Sequence, residues 1–169
     1  MPERPHIAYT HRLLPAVAAF SIYSGVLHGG VTGAHFQAWF WYGVFFFTSA
    51  ILQGVYGAFL FIRLLEVREA LRDPHPRPGM LRPSALERPF YWAGILGNAA
   101  TTLLYIVTRT SGIPLFGPDA GKVEAWDAYG LLTTFGELMV VVLLLFVLRS
   151  LGAGSIPVPQ TASPPAREG

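Results

Sequence analysis

Apolar residues run along this chain in four long blocks, and polar residues gather at the ends and in the connections. The first block is Leu13 to Gly29, "LLPAVAAFSIYSGVLHG". The second runs from about Ala38 to Leu65, the third from Pro89 to Thr108, the fourth from Ala128 to Leu148. A helix crosses a bilayer core about 30 Å thick with roughly 20 mostly apolar residues, and each block is near or above that length. None alternates with period two as barrel strands do. Lipid offers open backbone N–H and C=O groups no partner, so each block is predicted to be a helix. Pro15 fits the first turn of the first helix, where its missing N–H would be unpaired anyway. The pattern predicts an all-α integral membrane bundle of four transmembrane helices over residues 1–152. The Pro-, Ser- and Ala-rich tail, 153–169, is too poor in large apolar groups to pack and is expected to be disordered.

The connections add direction. Gly29–Gln37 reads as a short turn between antiparallel neighbours. Glu66–Arg88 carries Pro74, Pro76, Pro78 and Pro83, and its first part, "EVREALR", extends helix two. Thr110–Asp127 is broken by glycine and proline. Ten Lys and Arg residues (Arg4, Arg12, Arg63, Arg68, Arg72, Arg77, Arg82, Arg88, Arg149 and Arg167) lie on one side, and only Arg109 and Lys122 on the other. Positive residues stay inside, so the N- and C-termini are expected to be cytoplasmic in a multi-pass protein of the inner (plasma) membrane. Trp39, Trp41, Tyr42 and Trp126 then belong at the outer interface, and Tyr91 and Trp92 at the inner one.

Composition agrees. Hydrophobic residues make up 52% and charged residues 13%, about half the charge usual in a soluble domain. A net charge of +2 gives no nucleic-acid footprint, and the lack of cysteine excludes disulfides, thiolate metal sites and iron–sulfur clusters. No nucleophile elbow, phosphate loop, Rossmann glycine pattern or HExxH occurs, so a non-enzymatic protein is expected.

Three groups of residues could carry function. Glu137 should lie about 14 Å below the start of helix four, near the bilayer midplane. Gln53 and Asn98 are expected at similar depth. The three form either a proton relay or a hydrogen-bonded knot with neutral Glu137. Second, His28 ends helix one and His35 begins helix two, seven residues apart. With Asp119, Glu124 or Asp127 as third ligand they could hold a divalent ion such as Zn(II) or Cu(II), or each could simply cap a glycine-rich turn. A b-type haem, wanting axial ligands from opposite sides, fits less well. Third, Arg109 could bind an anion or pin the outer loop through its acids. Small residues at spacing four (Ala50, Gly54, Ala58) suit close packing, against this chain, another membrane subunit or a second copy.

"HGGVTGAHFQAWFWYGVFFFTSAILQ" and "GNAATTLLYIVTRTSGIPLFGP" together resemble a group of uncharacterised small four-helix bacterial integral membrane proteins. Its members pair two histidines before a W-x-x-YG-x-FF run and carry an RT-x-G-x-P outer loop. The resemblance covers most of 25–137. It implies the four-helix fold and one unit joining the histidines to the Arg109 loop, and supplies no activity. The expected function is an accessory or ligand- or metal-binding membrane subunit with a polar outer-face site. The alternative is a proton-coupled transporter or redox protein using Glu137, Asn98 and Gln53 as a relay.

Overall fold

The computed structural model describes residues 5–73, 86–113 and 117–153. The described residues form four helices and no strand: α1 (Pro5–Ala38), α2 (Phe40–Arg72), α3 (Glu87–Thr110) and α4 (Ala128–Ala153). All four are long and apolar enough to cross a membrane. The expected disordered tail lies outside the described residues beyond Ala153.

Two boundaries differ from the sequence reading. Pro15 is not in a first turn but well inside α1, which begins at Pro5. The turn expected at Gly29–Gln37 does not exist: α1 stays helical to Ala38, and only Trp39, with extended backbone (φ −166°, ψ 135°), separates it from α2. Glycine weakens an isolated helix by about 1 kcal/mol, but here the glycines serve packing. A Cβ on Gly30 would lie 2.4 Å from the Tyr129 hydroxyl, and one on Gly29 would touch Ala50. Across the reversal, the Phe36 ring lies on Gly43, where a Cβ would come within 2.1 Å of it.

The α1–α2 pair is held by backbone-to-backbone approach. A Cβ on Gly25 would sit 2.9 Å from the Ala50 carbonyl and 3.1 Å from the Gly54 nitrogen; one on Gly57 would sit 2.9 Å from the Ala18 carbonyl. Ala50 and Gly54 are therefore taken up by α1, while Ala58 faces outward. α1 also packs on α4, and α4 on α3.

The outside of the bundle is apolar. Phe47, Leu52, Phe59, Ile62, Leu96, Leu103 and Phe135 are all exposed. Inside, each helix carries one inward stripe that changes character partway along. On α1, Leu14, Val17 and Ala18 give way to Ser21, Ser24 and His28. On α2, reading the other way, Leu64 and Leu60 give way to Gln53 and Ser49. On α3, Tyr91 and Ile95 give way to Asn98 and Thr102; on α4, Leu151, Val147, Leu144 and Val140 give way to Glu137, Thr134 and Thr133. One half of the interior is thus an apolar plug. The other half, toward the end formed by Trp39 and the α3–α4 connection (the hairpin end), is polar. Tyr91, expected at an interface with Trp92, lies in the plug at 1% exposure, and Trp92 faces outward at 49%.

Backbone atoms cannot move aside as side chains do. Gly25→Val should therefore force α1 off α2 and cost about 1–3 kcal/mol, as overpacked sites do. Gly33→Ala, with open space at its Cβ, should change stability little. Chemical unfolding in detergent micelles, followed by helix loss, checks both; equal stability of the two variants would refute the contact.

Candidate functional site

The extension of α1 relocates His28. It lies ten residues before Ala38, about 15 Å below the hairpin end at 1.5 Å per residue. Glu137 lies nine residues into α4, about 14 Å below the same end. The two side chains meet: His28 Nε2 is 2.9 Å from Glu137 Oε1, with 7% and 2% of the side chains exposed.

The rest of the carboxylate is surrounded by donors. Gln53 Nε2 donates to Glu137 Oε1 at 3.2 Å and to Asn98 Oδ1 at 3.3 Å. The Thr102 hydroxyl donates to Glu137 Oε2 at 3.2 Å. Asn98 is held in turn by donating to the Gly94 carbonyl at 2.8 Å, and the Ser21 hydroxyl donates to the Gln53 carbonyl at 2.7 Å. His28 of α1, Gln53 of α2, Asn98 and Thr102 of α3 and Glu137 of α4 thus form a single side-chain network, every member under 10% exposed.

This geometry defines the chemistry available. An ionised carboxylate only accepts, so an ionised Glu137 takes the N–H of His28 Nε2. One further proton makes the pair neutral, as imidazolium–carboxylate or as imidazole–carboxylic acid. No lysine, arginine or second acid is buried beside it among the described residues. Three polar atoms in and around the network make no hydrogen bond within the protein: Ser24 Oγ, His28 Nδ1 and Gln53 Oε1. Ser24 Oγ lies over Gly136, where a Cβ would come within 2.5 Å of it.

The structure therefore brings Gln53, Asn98 and Glu137 together and adds His28 and Thr102. It does not bring together the metal set expected at the surface. His28 faces inward onto Glu137, whereas His35 Nδ1–H donates to the Val31 carbonyl of its own helix at 2.9 Å. Asp119 pairs with Lys122 at 2.8 Å, and Glu124 and Asp127 with Arg109. No three His, Cys, Asp or Glu side chains group to hold a metal among the described residues. The physical reason is the helical path of Gly29–Ala38, which puts the two residues about 10 Å of rise apart on one helix and leaves each imidazole with its own partner.

Arg109 pins the α3–α4 connection. Its guanidinium bonds Glu124, reaches Asp127 at 3.0 Å and lies 4.8 Å above the Tyr105 ring. Asp127 also accepts from the Gly130 N–H at 2.7 Å, capping the start of α4. Gly112, at φ +69°, allows the connection to fold back: a Cβ there would meet the Lys122 carbonyl at 2.7 Å.

Thr102 and the role of His28 escape a block-by-block reading. Both were accessible from helical spacing: Thr102 is four residues beyond Asn98, and Ser21, Ser24 and His28 continue the stripe of Leu14 and Val17. No family model, curated protein or solved structure matches this chain.

Partial burial pushes the Asp127 carboxyl up, but the Gly130 N–H and the Arg109 guanidinium outweigh it and hold it below the ordinary aspartate value of 3.8. Its folded pKa is depressed, so the fastening is present above 3.8 and is lost as pH falls through the folded value. Emission from Trp126, which packs edge-on to Tyr105, should report release only below that pH. Asp127→Asn should remove the transition; an unchanged profile would contradict the assignment.

Proposed function

We propose that this chain is a multi-pass protein of the plasma membrane whose His28–Glu137 pair binds and releases a proton, and that it serves as a proton-responsive, non-enzymatic membrane subunit. The observation that carries the reading is the acid–base contact at 2.9 Å, with no other charged side chain among the buried described residues. With one proton beyond the neutral-imidazole, ionised-carboxylate state the pair is neutral. Without it, a net negative charge sits on a carboxylate only 2% exposed, which costs several kcal/mol. Proton occupancy is thereby coupled to how tightly the four helices close around the pair.

Support for insertion comes from four helices long and apolar enough to cross a membrane, with an apolar exterior. Support for cytoplasmic termini, and for the hairpin end facing outward, comes from the ten-to-two distribution of Lys and Arg. The apolar plug of Leu14, Val17, Leu60, Leu64, Val140, Leu144 and Val147 favours exchange with the hairpin side alone.

One observation favours the second reading, a proton-coupled transporter. At the level of the plug Arg63 pairs with Glu87 at 2.6 Å, and the hydroxyl of Tyr91, itself part of the plug, lacks a hydrogen-bond partner. These polar groups could continue a path across the bundle.

Purified protein in lipid vesicles separates the readings. A pH jump on the hairpin side should give uptake of about one proton per chain. Glu137→Gln should abolish it, with no sustained flux into the vesicle lumen from the wild type. Steady flux would favour the transporter, and no uptake at all would refute both. A reporter fused at Gly117 should read outside; a cytoplasmic signal there would overturn the orientation.

A further inference from the structure

His35 takes no part in the network around Glu137, yet it is joined to His28 through one side chain. The Phe46 ring of α2 lies 3.7 Å from the His35 ring, centroid to centroid, and 5.5 Å from the His28 ring. Phe46 is partly buried, His35 is partly exposed, and His28 is 6% exposed. The aromatic ring is therefore in contact with both an imidazole near the hairpin end and the buried one.

The hydrogen bonding of the two imidazoles gives them complementary free nitrogens. His35 donates its Nδ1–H to the Val31 carbonyl at 2.9 Å, which leaves Nε2 to take up and give up a proton. His28 uses Nε2 toward Glu137, and its Nδ1 is buried without a hydrogen-bond partner. An imidazole that receives a proton at Nδ1 and gives one up at Nε2 passes a proton through itself. Glu137 is the only ionisable group hydrogen-bonded to His28 among the described residues; Gln53 of α2 and Thr102 of α3 share its carboxylate.

We propose that His35 delivers protons to His28 and that Phe46 is the gate between them. The inference rests on the proton-binding reading of the His28–Glu137 pair. The imidazoles do not exchange directly, because no hydrogen bond joins them among the described residues and proton transfer needs hydrogen-bond contact or a bridging water. A rotation of Phe46 opens room for that bridge. The proton leaves His35 Nε2, arrives at His28 Nδ1, and the Nε2 proton of His28 moves to Glu137 Oε1. Reversal returns each proton to its origin, so no other reactant is consumed.

Histidine labelling by diethyl pyrocarbonate, read residue by residue by mass spectrometry on the full chain in lipid nanodiscs, tests the gate without reference to proton binding. In the wild type His35 should react at least about tenfold faster than His28, a difference of about 1.4 kcal/mol in barrier. Phe46→Ala should raise the His28 rate about tenfold, Phe46→Trp should lower it, and the outward Phe47→Ala should leave it unchanged. An unchanged His28 rate in both Phe46 variants would overturn the gate. For delivery, His35→Gln should slow protonation of Glu137 after a pH jump about tenfold without altering its final extent. Equal rates would overturn delivery while leaving the proton-binding reading intact. Absence of any Glu137 protonation in the wild type would overturn that reading and delivery together, with the gate still judged by labelling.

Discussion

A carboxylate placed inside an apolar bundle must be matched, and the match at Glu137 organises the polar half of this protein. His28 supplies the compensating base, Gln53 and Thr102 supply the remaining donors, and each comes from a different helix. Removing one partner of such a buried pair typically costs about 3–5 kcal/mol, because the other is left uncompensated. The helices therefore cannot rotate or slide independently: a shift of one residue on any of them would carry its polar group away from the carboxylate. In an apolar surrounding, where burying hydrophobic side chains gives little drive for helices to associate, this network and the close glycine contacts of α1 and α2 set the register of the bundle.

The two halves of the interior divide the work. Leu14, Val17, Leu60, Leu64, Val140, Leu144 and Val147 make a conventional packed core. That core fixes the helices at one end and seals the interior on that side. The polar half is less completely satisfied, with Ser24 Oγ, His28 Nδ1 and Gln53 Oε1 unbonded within the protein. Unsatisfied buried groups are costly and persist where they have a use. At the hairpin end Arg109 ties the α3–α4 connection down through Glu124 and Asp127, and Tyr129 donates to the Leu27 carbonyl at 2.8 Å, joining α4 to α1. These contacts surround the approach to His28.

Hydrophobic block length was enough to read four helices, since an apolar run of about 20 residues has few other outcomes. The common depth of Gln53, Asn98 and Glu137 was also legible, because helical rise converts sequence position into height. The position of His28 was not. "HGGVTGAH" carries every local mark of a turn, with three glycines and two polar rings. Local propensity lost to packing there: the Tyr129 hydroxyl needs the space at Gly30, which that glycine supplies within a continuous helix. Ending the helix at Gly29 raised His28 to the surface and made it a neighbour of acids that Arg109 and Lys122 in fact hold. The plug was hidden for a different reason: in a chain this apolar, inward and outward leucines look alike until the partner helix is known.

His28 and Glu137 meet as one acid–base pair at 2.9 Å, and the proposed proton binding depends on that contact. Nitrogen-15 resonances of the His28 ring, recorded across pH in lipid nanodiscs, measure this most directly. Replacing Glu137 by Gln should change the Nε2 and Nδ1 resonances of His28 and leave those of His35 unchanged. A His28 titration identical in wild type and Glu137→Gln would contradict it.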